Sequence, residues 1–285
     1  MLDYLKYTVS TVILAATTAG LWIGGVYVWL GLGVLLGVLG LDAFLKPDHS
    51  IRDQRYPWLY DAVVAFNMAL GFALICQYAY LVGQDHFVTT SSAVGAFVTM
   101  MFVQFVVTAP ALHEMFHREN TGLRWYGRIG QVLIFDPWRE ITHVVTHHMA
   151  VATPYDPDYA RRGDTLYGHL FRTFRKQIVE SYHLEKTMWT KRGRAWWDPR
   201  NGWVQRAAML VGFTAILLAC GGAYGALLAI GVTIALITAA GTLLDLTPSE
   251  FALFEALAAR PGRVLSRQAL LDRMPGGGSD STMER

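Results

Sequence analysis

The sequence predicts an all-α integral membrane protein with about six transmembrane helices, and its composition supports this fold class. Apolar residues make up 53% of the 285 residues, and charged residues make up 16%. An average soluble domain has roughly 25% charged residues. Such an apolar chain does not belong to the disordered class. Its two cysteines both lie inside apolar stretches, which excludes a disulfide-rich secreted scaffold.

Six apolar stretches are long enough to cross a bilayer, which takes about 17–25 residues. They cover residues 8–24, 27–45, 58–82, 92–112, 204–220 and 224–244. Glycine pairs separate the first two stretches and the last two, at Gly24-Gly25 and Gly221-Gly222, and predict two helical hairpins. No small-residue cleavage site follows the first stretch, so we expect an anchor rather than a removed signal peptide.

Lysine and arginine predict the orientation in the membrane. They occur at Lys6, in residues 46–55 and throughout the long segment 118–200, whereas the turns at 84–86 and 221–225 contain none. The sequence therefore predicts that both termini and the long segment are cytoplasmic, with the chain in the inner membrane of a bacterium. The alternative is a soluble helical bundle. It is disfavoured, because nothing in such a fold would require basic and neutral segments to alternate.

Five of the nine histidines fall into two clusters about 30 residues apart. The first reads His113-Glu114-Met115-Phe116-His117, and the second reads His143-Val144-Val145-Thr146-His147-His148. The i, i+4 spacing places two imidazoles on one helix face, one turn apart, which is a chelating geometry. The clusters predict a metal site in a cytoplasmic, histidine-rich helical insertion. The isolated His49, His86 and His169 are expected to be ordinary interface or loop residues.

The number of histidines favours iron over zinc. His113, Glu114 and His117 match the zinc peptidase pattern, in which Glu114 is the general base. The second cluster adds three more imidazoles, too many for one tetrahedral zinc that keeps an open position. Five imidazoles favour two irons. Iron beside apolar spans favours oxygen activation on an apolar substrate, and a membrane zinc metallopeptidase remains the alternative.

Four further segments and the two histidine clusters together match a known family, in the same order along the chain. VATPYDP at 151–157 and RGDTLY at 162–167 follow the second cluster, DPWREI at 136–141 precedes it, and GGVYVWLG lies at 24–31. Together they resemble the membrane-bound alkane and xylene monooxygenases of the fatty acid desaturase/hydroxylase superfamily. The last two segments are most similar to the xylene branch. The resemblance covers roughly residues 5–235.

The resemblance implies a function. Members of the family hydroxylate terminal or benzylic C–H bonds of alkanes or alkyl-aromatics such as xylene, with O₂ and a non-haem di-iron centre. The electron donor would be rubredoxin or a ferredoxin-type reductase, and the hydrophobic substrate would come from the membrane lipid. Glu114 would orient a ligand imidazole. The implied iron ligands are His113, His117, His143, His147 and His148.

Six basic residues of the long segment have two possible roles. They would dock an acidic electron carrier or lie near anionic lipid headgroups, and both roles stay open. These residues are Arg172, Arg175, Lys176, Lys191, Arg192 and Arg194.

The chain departs from the family after the last apolar stretch. The resemblance implies a further histidine motif and a third histidine cluster there, but no histidine follows His183. We therefore expect a C-terminally truncated member with an incomplete di-iron site. Two outcomes stay open: the missing ligands are supplied from elsewhere, or the chain is inactive.

The C-terminal residues resemble a different family. Residues 246–274 are similar to the start of the winged-helix DNA-binding domain of response regulators. Thr247-Pro248-Ser249-Glu250 is typical of a helix start, and Ser266 caps a second helix. The recognition helix does not follow, so a membrane-tethered DNA-binding fragment is a weaker alternative. We expect three parts: the membrane domain 1–245, this short helix pair 246–274, and a disordered polar tail 275–285.

Overall fold

The computed structural model describes residues 7–45, 56–116, 118–150, 153, 155–156, 159 and 164–243. The regular structure in these residues is helical, which confirms the predicted all-α class. The predicted helix pair 246–274 and the tail 275–285 lie outside the described residues.

Nine α-helices follow one another in the described part of the chain. They are α1 Val9–Ile23, α2 Leu30–Phe44, α3 Pro57–Gly83, α4 Thr90–Phe116, α5 Thr121–Gly130, α6 Arg139–Thr142, α7 His148–Ala150, α8 Leu166–Lys191 and α9 Gly202–Leu243. Short 3-10 turns lie at Gly25–Trp29 and Gln131–Ile134, and a π-helical turn lies at His143–His147.

The structure confirms a membrane fold but divides the apolar residues differently from the sequence prediction. Among the described residues, four helical segments are long and apolar enough to cross a membrane: Gly25–Phe44, Pro57–Gly83, Thr90–Met115 and Gly202–Ala235. Helix α1 has only 15 residues, or about 22 Å, against the ~30 Å of the hydrocarbon core. The two last predicted stretches are joined in α9. These four segments and the shorter α1 cover the predicted stretches, the last two of which fall within the one segment of α9.

Helix α9 nevertheless contains the predicted hairpin, because it turns back at Gly222. The φ of Gly222 is 63° and its ψ is −168°, which no helical residue adopts. Phe213 before this turn packs against Phe135, with ring centroids 5.7 Å apart. Thr233 after the turn lines a small cavity together with Ile134. The parts of α9 before and after Gly222 thus both lie beside residues 134–135. The two parts therefore run in opposite directions.

The other predicted hairpin is also present. Gly24 and Gly25 have φ values of 77° and 57°, a region that glycine adopts without steric cost. Helix α1 ends there, and α2 packs back against it. Both glycine pairs therefore act as the turns that the sequence indicates.

The described chain divides into two compact units. The first contains the described residues up to 137 and 194–237, with α1 to α5 and most of α9. The second contains the described residues of 138–193, with α6 to α8, and the end of α9. Large apolar side chains fill the core of the first unit. Among the fully buried ones are Leu14, Leu21, Met68, Ile75, Tyr78, Met100, Leu112 and Leu217.

The two ends of the first unit differ in their chemistry. At one end, α1 and α3 begin and α4 ends, and these helices line a cavity of about 430 Å³ that includes Glu114. At the opposite end, His86 lies beside Gly24, and Gly83 contacts Gly221. The first histidine cluster therefore lies at the end away from the turns that lack Lys and Arg.

Polar side chains fix where several helices begin. Asn120, Thr165 and Asn201 each accept a hydrogen bond from a backbone N–H in the first turn of a helix, at 3.1, 3.1 and 2.8 Å. These caps satisfy donors that have no partner within the helix. Just before α9, hydrogen bonds from Arg200 lower the pKa of the Asp198 carboxyl to about 2.

Candidate metal centre

The first histidine cluster lies at the end of α4. His113 and Glu114 belong to its last turn, and both side chains are exposed. Helix α4 ends at Phe116, and His117 lies outside the described residues. Of the predicted chelating pair, the structure therefore places one member.

An ion-pair chain links this end of α4 to α3. The Nε atom of Arg118 lies 2.9 Å from Oδ1 of Asp61, and an Nη atom of Arg118 lies 3.2 Å from Oε1 of Glu114. Arg118, which directly follows the first cluster, thus joins Glu114 of that cluster to the neighbouring helix α3. The Glu114 carboxylate is engaged with a cation instead of being held ready for a metal-bound water, which weakens the zinc peptidase alternative.

The second histidine cluster contains a π-helical turn where the sequence predicts α-helical spacing. Residues His143–His147 form this turn, whose i→i+5 hydrogen bonds widen the helix. Residues four apart then lie almost above one another. The rings of His143 and His147 are stacked, with centroids 5.0 Å apart and an interplanar angle of 19°. The structure thus brings these two predicted ligands together.

Packing of the second unit makes His143 a buried residue. Helix α6, which directly precedes the π turn, packs against α8, and the Thr142 hydroxyl donates to the Arg139 carbonyl at 3.2 Å. His143 is 8% exposed. A buried imidazole beside a second imidazole is a favourable start for a transition-metal site.

The structure assigns a partner to His147 that sequence reasoning missed. Nδ1 of His147 lies 2.8 Å from Oδ1 of Asp156, a carboxylate that is 4% exposed. An ionised carboxylate only accepts hydrogen bonds, so Nδ1 of a neutral His147 carries the proton and Nε2 has the lone pair that a metal would bind. Carboxylates hold metal-ligating histidines in this way in many metalloproteins.

Two local turns bring Asp156 back to His147. The backbone N–H of Asp156 donates to the Thr153 carbonyl at 3.0 Å, and that of Thr153 donates to the Ala150 carbonyl at 2.9 Å. The sequence shows Asp156 only as part of a proline-flanked turn. Its nine-residue separation from His147 fits no helical repeat, so no spacing rule identifies the pair.

The Nδ1 atom of His169 accepts a hydrogen bond, whereas that of His147 donates one. An Nη atom of Arg172 lies 3.1 Å from Nδ1 of His169. Because a guanidinium only donates, Nδ1 accepts, and a neutral His169 carries its proton on Nε2. His169 is buried, but in this state its Nε2 has no lone pair for a metal. It therefore fits a structural residue, as the sequence indicates, better than an additional ligand.

The remaining predicted ligand is only partly described. His148 begins α7, and its side chain lies outside the described residues. Within the described part of the chain, no group of three or more His, Cys, Asp or Glu side chains is arranged to hold a metal ion. The described donors supply part of such a site, because the rings of His143 and His147 stack and Asp156 holds Nδ1 of His147.

Comparisons with known proteins agree with this picture. A family model described as fatty acid desaturase matches residues 89–253, which include both histidine clusters. A second model, described as the C-terminal part of a transcriptional regulatory protein, matches residues 241–284.

The chain is also similar to several curated proteins. It is 27% identical to the hydroxylase component of the xylene/toluene monooxygenase of Pseudomonas putida, over 78% of this chain and 60% of that protein. It is 25% identical to an alkane 1-monooxygenase of Ectopseudomonas oleovorans and 27% identical to one of Pseudomonas putida, in each case over 76% of this chain and 57% of the relative.

The extent of these matches decides the family. The chain spans about three-fifths of the length of these relatives. The fatty acid desaturase match covers more than half of the chain, and the relatives confirm the resemblance to alkane and xylene monooxygenases. The chain belongs to the fatty acid desaturase family.

Proposed function

We propose that this chain is the membrane-embedded part of a non-haem di-iron monooxygenase. The enzyme hydroxylates C–H bonds of hydrophobic substrates, either alkanes or alkyl-aromatics such as xylene, with O₂. The proposal is supported above all by the buried His143 stacked on His147, whose Nδ1 atom is held by Asp156. The relatives named as alkane and xylene/toluene monooxygenases support the reaction class.

The two histidine clusters are the proposed ligand set. In this proposal His113, His117, His143, His147 and His148 bind iron, and Asp156 fixes the ring of His147. Bound iron supplies the activation of oxygen. Glu114, through its ion pair with Arg118, secures the end of the helix that carries the first cluster. Any ligands beyond these five come from outside the residues named here.

The membrane unit supplies the substrate. Its helices are apolar over most of their surface, so a hydrocarbon dissolved in the bilayer can lie against them. The fold therefore fits a substrate of the same polarity as the lipid.

Electrons come from a separate soluble protein, either rubredoxin or a ferredoxin-type reductase. Four of the six basic candidates are exposed, namely Arg175, Lys191, Arg192 and Arg194. The first three belong to the second unit and form the proposed patch for an acidic partner. Attraction between such a patch and an acidic carrier raises the association rate and depends on salt. Contact of the same residues with anionic headgroups remains the competing role.

We also propose the location of the chain. It lies in the inner membrane of a bacterium, with both termini in the cytoplasm. This orientation is supported by the fold, because Glu114 and the beginnings of α1 and α3 lie at one end and the turns without Lys or Arg lie at the other. Positive residues favour the cytoplasmic side.

The C-terminal residues have no proposed part in this reaction. We propose a membrane domain at 1–245, a partial winged-helix segment at 246–274 and a tail at 275–285. The regulator match at 241–284 supports a separate segment after the membrane domain. DNA is not a proposed partner in this reaction.

Whole-cell hydroxylation tests the proposed activity. The chain is co-expressed with a rubredoxin and its reductase, or with a ferredoxin-type reductase, and cells receive octane or xylene. The proposal predicts octanol or methylbenzyl alcohol from cells with the unmodified chain and none from cells with His147→Ala. Equal product in both strains would contradict the assigned site, and no product from iron-loaded protein with either donor would contradict the activity.

A further inference from the structure

Two cations of α8 hold the loop that carries Asp156. Nη1 and Nη2 of Arg172 donate to the carboxylate of Asp164 at 2.6 and 2.5 Å, and Nη2 also lies 3.3 Å from the Tyr159 carbonyl. One turn later, Nζ of Lys176 donates to the Tyr155 carbonyl at 2.8 Å. Both side chains lie on the same face of α8, because they are four residues apart.

These contacts act next to the residue that orients His147. The Tyr155 carbonyl that Lys176 holds belongs to the peptide bond that leads into Asp156. Fixing this peptide plane restricts where the Asp156 carboxylate can lie. The buried Asp156 in turn accepts the hydrogen bond from His147.

We propose that Arg172 and Lys176 are positioning residues for the metal site, because they clamp the loop that presents Asp156 to His147. The proposal rests on the proposed function, since it assigns His147 as a metal ligand. The residues were candidates for docking an electron carrier on sequence grounds. Their side chains instead form hydrogen bonds within their own unit. We therefore do not count them among the residues proposed to dock the electron carrier.

The physical reason is the conformational freedom of the loop. A segment outside helices has many backbone states, and each ordered residue costs conformational entropy. Hydrogen bonds from a cation to a carbonyl or carboxylate are among the stronger ones in proteins. Two such donors on a rigid helix therefore keep one loop state populated, and a metal ligand needs a fixed ring orientation.

The neighbouring Arg175 provides a matched control. It lies on the same helix between the two clamp residues and is exposed. Among the described residues it makes no hydrogen bond or ion pair. Removing its charge changes the net charge of α8 as much as removing that of Lys176, but leaves the loop contacts intact.

Co(II) titration of the full chain in detergent tests the proposal, with the Co(II) absorption bands as the signal. Lys176→Met is expected to bind Co(II) about threefold to tenfold more weakly, below the 10–100-fold typical of losing the orienting carboxylate itself. Lys176→Arg, which keeps a donor, should recover most of the affinity, and Arg175→Met should remain within twofold. Combining Lys176→Met with Asp156→Asn should weaken binding no further than Asp156→Asn alone.

Hydrogen–deuterium exchange of the peptide containing Tyr155 and Asp156 separates the possible failures. The proposal predicts faster exchange in Lys176→Met and unchanged exchange in Arg175→Met, at the same melting temperature. Faster exchange with unchanged Co(II) affinity would overturn the positioning role while leaving the metal site intact. Absence of Co(II) binding by the unmodified chain would contradict the proposed function, and with it the role of the clamp.

Discussion

The Nδ1 atom of His147 lies 2.8 Å from Oδ1 of Asp156. This hydrogen bond crosses nine residues of sequence and joins a helical turn to a loop. It fixes both the tautomer and the ring orientation of His147. A metal ligand needs both.

Removing the Asp156 carboxylate should weaken metal binding. Asp156→Asn keeps an acceptor but loses the charge, and Asp156→Ala loses both, so we expect a larger loss in the second. Losses of about 10–100-fold in affinity are typical of such partners. Titration with Fe(II) or Co(II) measures the effect, and Asp42→Asn on the exposed face of α2 is the control. Equal affinity in all three variants would contradict the role of Asp156.

The hydrogen bonds of the histidines predict which of them bind metal. His143→Ala and His147→Ala should each lose iron. His169→Gln keeps an acceptor for Arg172. This variant should retain its iron, because a neutral His169 carries its proton on Nε2 and offers no lone pair there. Iron content per polypeptide after purification distinguishes the three variants. Loss of iron in His169→Gln to the same extent would place His169 among the ligands.

The ion pair of Arg118 and Asp61 should stabilise the end of α4. Their side chains are 32% and 27% exposed, so we expect a modest coupling free energy of about 0.5–1 kcal/mol. A double-mutant cycle with Arg118→Gln and Asp61→Asn, followed by unfolding in detergent, measures it. The more exposed Glu114, paired with the same Arg118, should show a smaller coupling. A coupling of zero for the Asp61 pair would show that the pair only marks proximity.

Close contact between α3 and α9 should make Gly221 sensitive to any side chain. A Cβ atom there would lie 1.9 Å from the Ala79 carbonyl oxygen, so the helices must separate. Gly221→Ala is expected to cost about 1–3 kcal/mol. Gly212→Ala on the same helix meets open space and should be neutral or slightly stabilising, since alanine favours helix. Thermal unfolding of the two variants compares them, and equal melting temperatures would contradict the close packing.

Much of the fold follows from local sequence signals. Gly24-Gly25 and Gly221-Gly222 are predictable turns, because only glycine readily adopts their backbone angles. Apolar length predicts the bounds of α3 to within one residue and those of α4 to within four residues. The length of α1 is less predictable, since hydropathy does not show that the 3-10 turn at Gly25–Trp29 continues directly into α2.

The site is predictable only where its residues repeat locally. His143 and His147 share a face in either an α or a π turn, so their pairing survives the change of helix type. Asp156 joins them through a loop, and loop contacts follow from tertiary packing rather than periodicity. Lys176 shows the same limit: its charge indicates a surface, but the structure uses it to hold the Tyr155 carbonyl.

The metal content of the purified full-length chain tests the central claim most directly. Iron and zinc are measured per polypeptide, in the unmodified chain and in His143→Ala, after expression with ample iron. The proposed function predicts iron at di-iron stoichiometry in the unmodified chain and its loss in the variant. Zinc alone, or no metal above the level of His143→Ala, would contradict the claim that these histidines form an iron centre.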